Sequence, residues 1–205
     1  MSFPENLRQQ LQNRWDLSQR SGEIDGDAII KIDDRIVAEY ERHISPVVID
    51  LAGFTTNAMQ HGIIHHLSKI EMLRALVSPI VDKHKGTLVK EEADNVFAFF
   101  EHPTRSLQAV ADIFDTLQKH NEPLEDYAQI DISVGIGFGP TLVLPHDMWG
   151  TDFNFCCKLG EDLAKSNEVL ITKDAREEIK DDTFHFEEKA FVIAGMPMRA
   201  FHWVH

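Results

Sequence analysis

Cysteine and long apolar runs are scarce or missing in this sequence, and so is a secretory signal. The two cysteines, Cys156 and Cys157, are neighbours. A vicinal pair forms a disulfide only with strained geometry, so we expect a reducing, cytoplasmic environment. No run of about eighteen apolar residues is present, which argues against a membrane-spanning helix. Residues 1–6 lack the basic and apolar regions of a secretory signal.

Positive charge is also scarce. The chain has 20 lysines and arginines against 34 aspartates and glutamates, a formal net charge of −14. This balance argues against a nucleic-acid polymer as partner, because binding a polyanion needs a basic face. A single nucleotide is compatible with the charge, because a few lysines, backbone N–H groups and a divalent ion can hold it. The 11 histidines show no HExxH spacing, and His65, His66, His202 and His205 are expected to lie at the surface.

The 205 residues suffice for one domain with an extension. Residues 1–40 are polar with weak helical spacing and predict an N-terminal helical extension, although a frayed end explains the first dozen residues equally well. Residues 41–205 predict the main domain. Its predicted elements are a strand at 45–51, a helix over 56–83 with a kink or division at Pro79, a hairpin over 86–100, a helix after Pro103, a strand at 130–139 that pairs with 141–144, a helix over 152–165, a strand at 169–171 and a last strand near Phe201. This order predicts an α+β fold with helices over one face of a mainly antiparallel sheet.

Three alternate glycines, Gly135, Gly137 and Gly139, form a G-x-G-x-G run. A phosphate-binding loop of this kind joins a strand to a helix, whereas these glycines lie inside a predicted strand. We therefore expect close backbone packing or a bulge at this strand.

Two aspartates stand out on physical grounds. Asp50 ends an apolar strand, and Asp94 lies at the tip of the next hairpin, directly before another apolar strand. A carboxylate at the edge of a buried sheet needs a cation, hydrogen bonds or a metal ion. Two of them at adjacent strand ends would form an oxygen site suited to Mg²⁺ or Mn²⁺. Ordinary turn residues are the alternative that the spacing alone leaves open.

Four sequence blocks carry a family resemblance. They are Asp50-Leu-Ala-Gly-Phe-Thr, Gly86-Thr-Leu-Val-Lys-Glu-Glu-Ala-Asp-Asn-Val-Phe-Ala-Phe-Phe, Val134-Gly-Ile-Gly-Phe-Gly and Asp147-Met-Trp-Gly-Thr-Asp-Phe-Asn-Phe-Cys-Cys-Lys-Leu-Gly-Glu-Asp. In type and order they resemble the signatures of class III adenylate and guanylate cyclase catalytic domains, and the Lys-Leu-Gly-Glu-Asp ending is similar to a bacterial variant. The resemblance spans residues 45–204 and implies a ferredoxin-like cyclase homology domain, an antiparallel-rich sheet covered by helices.

The resemblance implies a metal-binding half of an active site. Asp50 and Asp94 match the residues that hold two Mg²⁺ or Mn²⁺ ions, and the backbone carbonyl of Leu51 is a further ligand in this scheme. Phe54 and Thr55 match the part of the first block that contacts the substrate.

The resemblance also implies a half that binds base, ribose and phosphate. Lys90 and Asp147 match the positions that read adenine. Asn154 matches the residue that orients the ribose. Lys158 takes the place of the arginine that stabilises charge on the α-phosphate.

The implied activity is that of an adenylate cyclase-type phosphorus–oxygen lyase in signalling. It would convert a nucleoside triphosphate, with ATP favoured, into a cyclic 3′,5′-monophosphate and pyrophosphate, while GTP or a pyrimidine triphosphate is the alternative substrate. Family members build the site between two subunits, so the resemblance also implies a homodimer with shared active sites.

Three departures from the family pattern favour a second hypothesis, a catalytically silent nucleotide-binding module. Lys158 keeps the charge of the arginine but loses its bidentate fork. Ala93 replaces a glycine, a mild change only if the turn needs no positive φ. Residues 192–198 lack the family's triphosphate lysine, for which Lys189 or Arg199 is the candidate substitute. Retention of both metal-site aspartates favours the active enzyme.

Overall fold

The computed structural model describes residues 3–19, 25–53, 59–193 and 195–204. The α-helices in these ranges are α1 (Glu5–Ser18), α2 (Gly26–Tyr40), α3 (Ile63–Lys83), α4 (Pro103–Asn121), α5 (Thr151–Cys157) and α6 (Lys173–Glu178). The strands are β1 (Glu41–Leu51), β2 (Thr87–Glu92), β3 (Asn95–Phe100), β4 (Ile132–Ile136), β5 (Gly139–Leu144), β6 (Asp147–Trp149), β7 (Val169–Thr172), β8 (His185–Ile193) and β9 (Met196–Val204). A 3₁₀ turn at Asp126–Ala128 and a π-helical segment at Lys158–Leu163 complete these elements.

One mixed sheet joins the strands of the described ranges. Seven of them lie side by side in the order β2-β3-β1-β4-β7-β9-β8. Neighbours are antiparallel except β4 and β7. Residues 41–44 of β1 pair with β5, which also pairs with β6, whereas residues 45–51 pair with β3 and β4. The predicted α+β fold with an antiparallel-rich sheet is confirmed.

Alternate residues of β1 are buried in two different layers. Val47, Ile49 and Leu51 belong to the main core, beneath α3 and α4. Val48 packs on the opposite face, with Phe153 of α5. Since successive side chains of a strand point to opposite faces, this part of the sheet has helices on both sides. The prediction that helices cover one face was therefore incomplete.

Glycines set how closely α5 and the π-helical segment approach the sheet. A Cβ atom added to Gly135 of β4 would lie 2.1 Å from the carbonyl oxygen of Cys156. A Cβ atom added to Gly160 would lie 2.9 Å from the Gly135 nitrogen. The Cys156 thiol is buried and donates to the carbonyls of Pro46 and Gly135, at 3.3 and 3.1 Å. The expected close packing at the glycine-rich strand is present, and burial raises the pKa of the Cys156 thiol.

Several local predictions were wrong. Pro79 lies inside α3 and does not divide it, whereas a kink at this residue stays a prediction. β5 pairs with β1 and β6 rather than with β4, because β1 begins before residue 45 and offers its first residues as a partner. The β8–β9 hairpin, paired from His185–Val204 to Ile193–Met196, was predicted only as a last strand.

In the described part of the chain, two helices precede β1. Asn6 of α1 donates to both Glu39 oxygens of α2, at 3.1 and 3.0 Å, and Arg14 pairs with Asp33 at 2.5 Å, so the helices are antiparallel. Leu7 packs between α2 and β5. The division into an extension and a catalytic domain at residue 40 stays a prediction. Within the described ranges, no helix has both the length and the apolar character needed to cross a membrane.

We expect Gly135→Ala to lower the free energy of unfolding by about 2–3 kcal/mol, because the added methyl group meets backbone atoms that cannot move independently. The matched control is Gly26→Ala at the start of α2, where an added Cβ atom meets nothing within 4 Å. Urea denaturation followed by circular dichroism measures both variants. Equal stability of the two would contradict the close contact at Gly135.

Candidate active site

Asp50 and Asp94 meet at one end of the sheet. Asp50 is the penultimate residue of β1, and its partner across the β1–β3 pairing is Asn95, the residue after Asp94. The Ser133 hydroxyl donates to Asp50 Oδ2 over 3.4 Å. Partial burial, and then the Asp94 carboxylate, raise the pKa of Asp50 to about 7. The structure thus brings together the two carboxylates that the sequence analysis singled out.

The donors at this end of the sheet fit a divalent metal ion. Two carboxylates that repel each other are stabilised by a hard cation, and Mg²⁺ and Mn²⁺ prefer oxygen ligands. The Leu51 side chain is buried in the core, so this residue has only its backbone carbonyl to offer. Among the described residues, no three His, Cys, Asp or Glu side chains gather into an ion-binding group. An ion here would therefore also need oxygens from the main chain or from a bound substrate.

Lys90 of β2 and Asp147 of β6 form an ion pair. Lys90 Nζ lies 2.9 Å from Asp147 Oδ1, with side chains 14% and 18% exposed. Nζ is also 2.9 Å from Glu92 Oε2 and 4.7 Å from the centre of the Phe97 ring. The Met148 N–H donates to Asp147 Oδ1 at 2.9 Å. Although partial burial opposes its charge, hydrogen bonds to Glu92 and Asp147 raise the pKa of Lys90.

Asn154 and Lys158 are exposed residues one helical turn apart. The Lys158 N–H donates to the Asn154 carbonyl, which ends the α-helical pattern. The following segment is π-helical, with the Ala164 N–H bonded to the Leu159 carbonyl at 2.8 Å. The helix predicted over 152–165 is therefore divided at Lys158. Lys158 Nζ pairs with Asp162 in this segment, and such π-helical turns are frequent at functional sites.

Two further predicted residues, Lys189 and Arg199, are not brought to this end of the sheet. Phe54 and Thr55 lie outside the described residues. Lys189 and Arg199 belong to the β8–β9 hairpin, and β9 lies three strands from β1, roughly 14 Å across the sheet. Lys189 is bound to the buried Glu168 carboxylate. Within one chain, neither Lys189 nor Arg199 therefore lies beside Asp50.

Two contacts at the site were not predicted from the sequence. One is the Ser133–Asp50 hydrogen bond, for which the signal was a lone polar residue in an apolar strand. The other joins Asn95 Nδ2 to Glu161 Oε1 at 3.2 Å. Nothing in the local sequence pattern around Glu161 indicates a contact with the β2–β3 hairpin. Partial burial, and then Asp162, raise the pKa of Glu161.

The turn that carries Asp94 contains a residue in left-handed backbone. Ala93 has φ 51° and is the first of the two residues that join β2 to β3. Glycine is favoured at this position of a two-residue hairpin turn because it lacks a Cβ atom. Arg74 Nη2 donates to the Ala93 carbonyl at 2.9 Å and holds the turn. The replacement of the family's glycine is therefore a strained change, not a mild one.

A comparison of this sequence with those of known proteins finds little similarity. No protein-family model matches the chain. The serine/threonine-protein kinase pkn2 of Myxococcus xanthus is 23% identical to it over 132 residues, which are 64% of this chain. The matched region spans only 16% of that kinase.

Comparison of structures gives the fold. An adenylate/guanylate cyclase/hydrolase from Silicibacter pomeroyi superposes with a TM-score of 0.69 and 19% identity, over 80% of this chain and 98% of that one. The guanylyl cyclase Cya2 gives 0.68 and 15%, over 80% and 91%. The catalytic core of a rhodopsin-guanylyl cyclase with converted specificity, in complex with ATPαS, gives 0.67 and 18%, over 80% and 97%. The chain has the fold of class III cyclase catalytic domains, as its sequence blocks implied.

We expect Ala93→Gly to raise the free energy of unfolding by up to about 1 kcal/mol, because glycine adopts a positive φ without steric cost. The matched control is Ala75→Gly on the exposed face of α3, which should lose about 1 kcal/mol because glycine weakens a helix interior. Thermal unfolding of the two variants measures the change in stability, which should be opposite in sign. Destabilisation by both would contradict the strain assigned to Ala93.

Proposed function

We propose that this chain is a nucleotidyl cyclase domain that converts a nucleoside triphosphate, with ATP preferred, into a cyclic 3′,5′-monophosphate and pyrophosphate. The observation that carries the proposal is the Lys90–Asp147 pair, 2.9 Å between Nζ and Oδ1. Its lysine lies on the β2–β3 hairpin, which also carries Asp94 next to Asn95, the partner of Asp50. A donor–acceptor pair suits recognition of a base, and a carboxylate pair suits a cation that binds a triphosphate. Both occur on a fold shared with solved adenylate and guanylate cyclase structures.

The Lys90–Asp147 pair supports adenine as the base. A lysine donates to a ring nitrogen of adenine, and a carboxylate accepts from the exocyclic amine. The burial of both side chains and the Met148 N–H bond to Asp147 hold the two groups in place before the base arrives. GTP and pyrimidine triphosphates are the alternative substrates, because their edges offer a different order of donors and acceptors.

The reaction needs positioning and charge more than covalent chemistry from the protein. The ribose 3′-oxygen forms a bond to the α-phosphorus, the bond to the β-phosphate oxygen breaks, and the hydroxyl proton is released. Asn154 would orient the ribose, and the Lys158 ammonium would stabilise charge on the α-phosphate. Asp50 and Asp94 would hold the divalent ions. Two bound Mg²⁺ or Mn²⁺ ions would lower the pKa of the 3′-hydroxyl and neutralise the triphosphate.

We infer a homodimer with two shared sites. Asn154 and Lys158 are exposed on one protomer, where they are accessible to a substrate held by the carboxylates of a second copy. In this arrangement each protomer contributes Asp50 and Asp94 to one site and its base, ribose and phosphate residues to the other.

A cytoplasmic location agrees with the two cysteines, both of which are free thiols.

A silent nucleotide-binding module is the second candidate, and two contacts favour it. Lys158 is already paired with Asp162, and Lys189 is bound to Glu168. The cations that the phosphate side of the site needs are thus engaged within the protomer. Retention of Asp50 and Asp94 favours the active enzyme, because a silent module has no use for a metal-binding carboxylate pair.

We expect the purified chain to form cyclic AMP and pyrophosphate when it is offered ATP, GTP, CTP and UTP, each with Mg²⁺ or Mn²⁺. Chromatography and mass spectrometry identify the products. Asp50→Ala and Asp94→Ala should each lower turnover by about a hundredfold or more, because the ions lose a ligand. The control is Asp27→Ala, an exposed carboxylate on α2.

Each negative result of this assay has a different meaning. Nucleotide binding without a product under any condition would favour the silent module. Full turnover in both aspartate variants would contradict the two-metal assignment, whatever the product.

We expect Lys90→Glu to change the preference for the base more than it changes the overall fold. The ratio of kcat/KM for ATP to that for GTP should fall by about tenfold to a hundredfold, the worth of a hydrogen bond to a charged group. Lys173→Glu is the charge-matched control, because Lys173 lies on the exposed surface of α6. An unchanged ratio in Lys90→Glu would contradict the base-reading role of Lys90.

A further inference from the structure

The backbone that leads into Glu161 is set in place by the close packing of the π-helical segment, and the Glu161 side chain is exposed. Glu161 follows Gly160, whose backbone touches β1 and β4: a Cβ atom on Gly160 would lie 3.0 Å from the Val48 carbonyl oxygen and 2.9 Å from the Gly135 nitrogen. The residue before Gly160, Leu159, is fully buried. The main chain on the N-terminal side of Glu161 is therefore fixed relative to the strand that carries Asp50.

Glu161 contacts the β2–β3 hairpin through Asn95. Asn95 Nδ2 donates to Glu161 Oε1 at 3.2 Å. Asn95 Oδ1 is buried and has no hydrogen-bond partner among the described residues. The bond to Glu161 is thus the side-chain contact that orients the Asn95 amide.

Asn95 stands between the two carboxylates of the candidate metal site. It follows Asp94 in the chain and is the partner of Asp50 across the β1–β3 pairing. A shift of Asn95 would move Asp94 relative to Asp50. Ala93, the residue before Asp94, has a strained backbone. The backbone preference of the turn therefore does not hold this geometry.

We propose that Glu161 is a positioning residue that acts through Asn95 to hold Asp94 opposite Asp50, and so sets the affinity of the site for its divalent ion. The inference rests on the proposed function, because it takes Asp50 and Asp94 as ion ligands. Among the described residues, no group of three acidic side chains forms at this place, so the role that we assign to Glu161 is to position the ligands. Residues that orient metal ligands typically change metal affinity by about tenfold to a hundredfold when removed.

The test is Mn²⁺ binding to the full chain without nucleotide, measured by electron paramagnetic resonance of free Mn²⁺. We expect Glu161→Ala to weaken binding by about tenfold or more. Glu161→Gln should stay within about threefold of the wild type, because its amide oxygen still accepts from Asn95, although a neutral acceptor is roughly half as strong. Asn95→Ala should match Glu161→Ala, and the double variant should be no weaker than either single one.

Two controls separate positioning from other effects. Glu177→Ala, an exposed carboxylate of α6, should bind Mn²⁺ as the wild type does. Thermal unfolding should show Glu161→Ala within a few degrees of the wild type. In the cyclase assay, Glu161→Ala should need more Mn²⁺ for half-maximal turnover yet approach the wild-type rate at saturation.

Each outcome supports or overturns the proposal. Rescue by Glu161→Gln with loss in Glu161→Ala supports it. Equal loss in both variants would overturn positioning in favour of a simple effect of negative charge. Wild-type affinity in Glu161→Ala would overturn the role of Glu161 and leave the cyclase proposal intact. Wild-type protein that binds no Mn²⁺ by itself, and none beyond what the nucleotide binds when ATP is added, would overturn the metal assignment, and the role of Glu161 with it.

Discussion

The contact between the backbones of Gly135 and Gly160 is the constraint on which the candidate site depends. It lets the end of α5 and the π-helical segment lie directly on β1 and β4, with no side chain between them. Lys158 and Asn154 stand on that segment and on α5, whereas Asp50 stands at the end of β1. A side chain at either glycine would displace Lys158 and Asn154 from their places on the protomer surface. In the proposed shared site, a displacement of about 1 Å is enough to cost a hundredfold in rate. The packing of the sheet and the placement of these two residues are therefore fixed by the same contact.

The β2–β3 hairpin is the second rigid part of the site, and it is held against its own preferences. Its turn keeps Ala93 at a positive φ, and the Arg74 side chain bonds the Ala93 carbonyl. Strain of this kind persists only where surrounding contacts determine the backbone, and it is common at functional sites. Here the contacts act on Lys90 and Asp94 together, because both belong to one hairpin. Lys90 and Asp94 therefore cannot shift independently of each other.

Local patterns in the sequence predicted what depends on local physics. The apolar run that ends at Asp50, the hairpin that carries Asp94 and the helix after Pro103 all have a clear period or a turn signal, and all are present. Partners distant in sequence were not predictable in this way. β5 pairs with the first residues of β1, and Glu161 contacts a residue 66 positions earlier. The hydrophobic period of a sequence tells which side of a helix or strand is buried, but not which other element covers that side. The resemblance to a known family, rather than the hydrophobic pattern, therefore indicated that Lys90 and Asp147 act together.

The replacement of arginine by Lys158 affects geometry more than charge. Its partner Asp162 lies one turn further along the same segment, and both side chains are about half exposed, at 55% and 51%. An exposed ion pair of this spacing stabilises a protein little, since water screens both charges, so a triphosphate that brings several negative charges competes for the lysine easily. What the lysine cannot supply is the planar fork of arginine, which binds two phosphate oxygens at once. In the proposed reaction, the chain would therefore retain a cation at the α-phosphate but would have to position it by packing. That packing depends on the contact between Gly135 and Gly160.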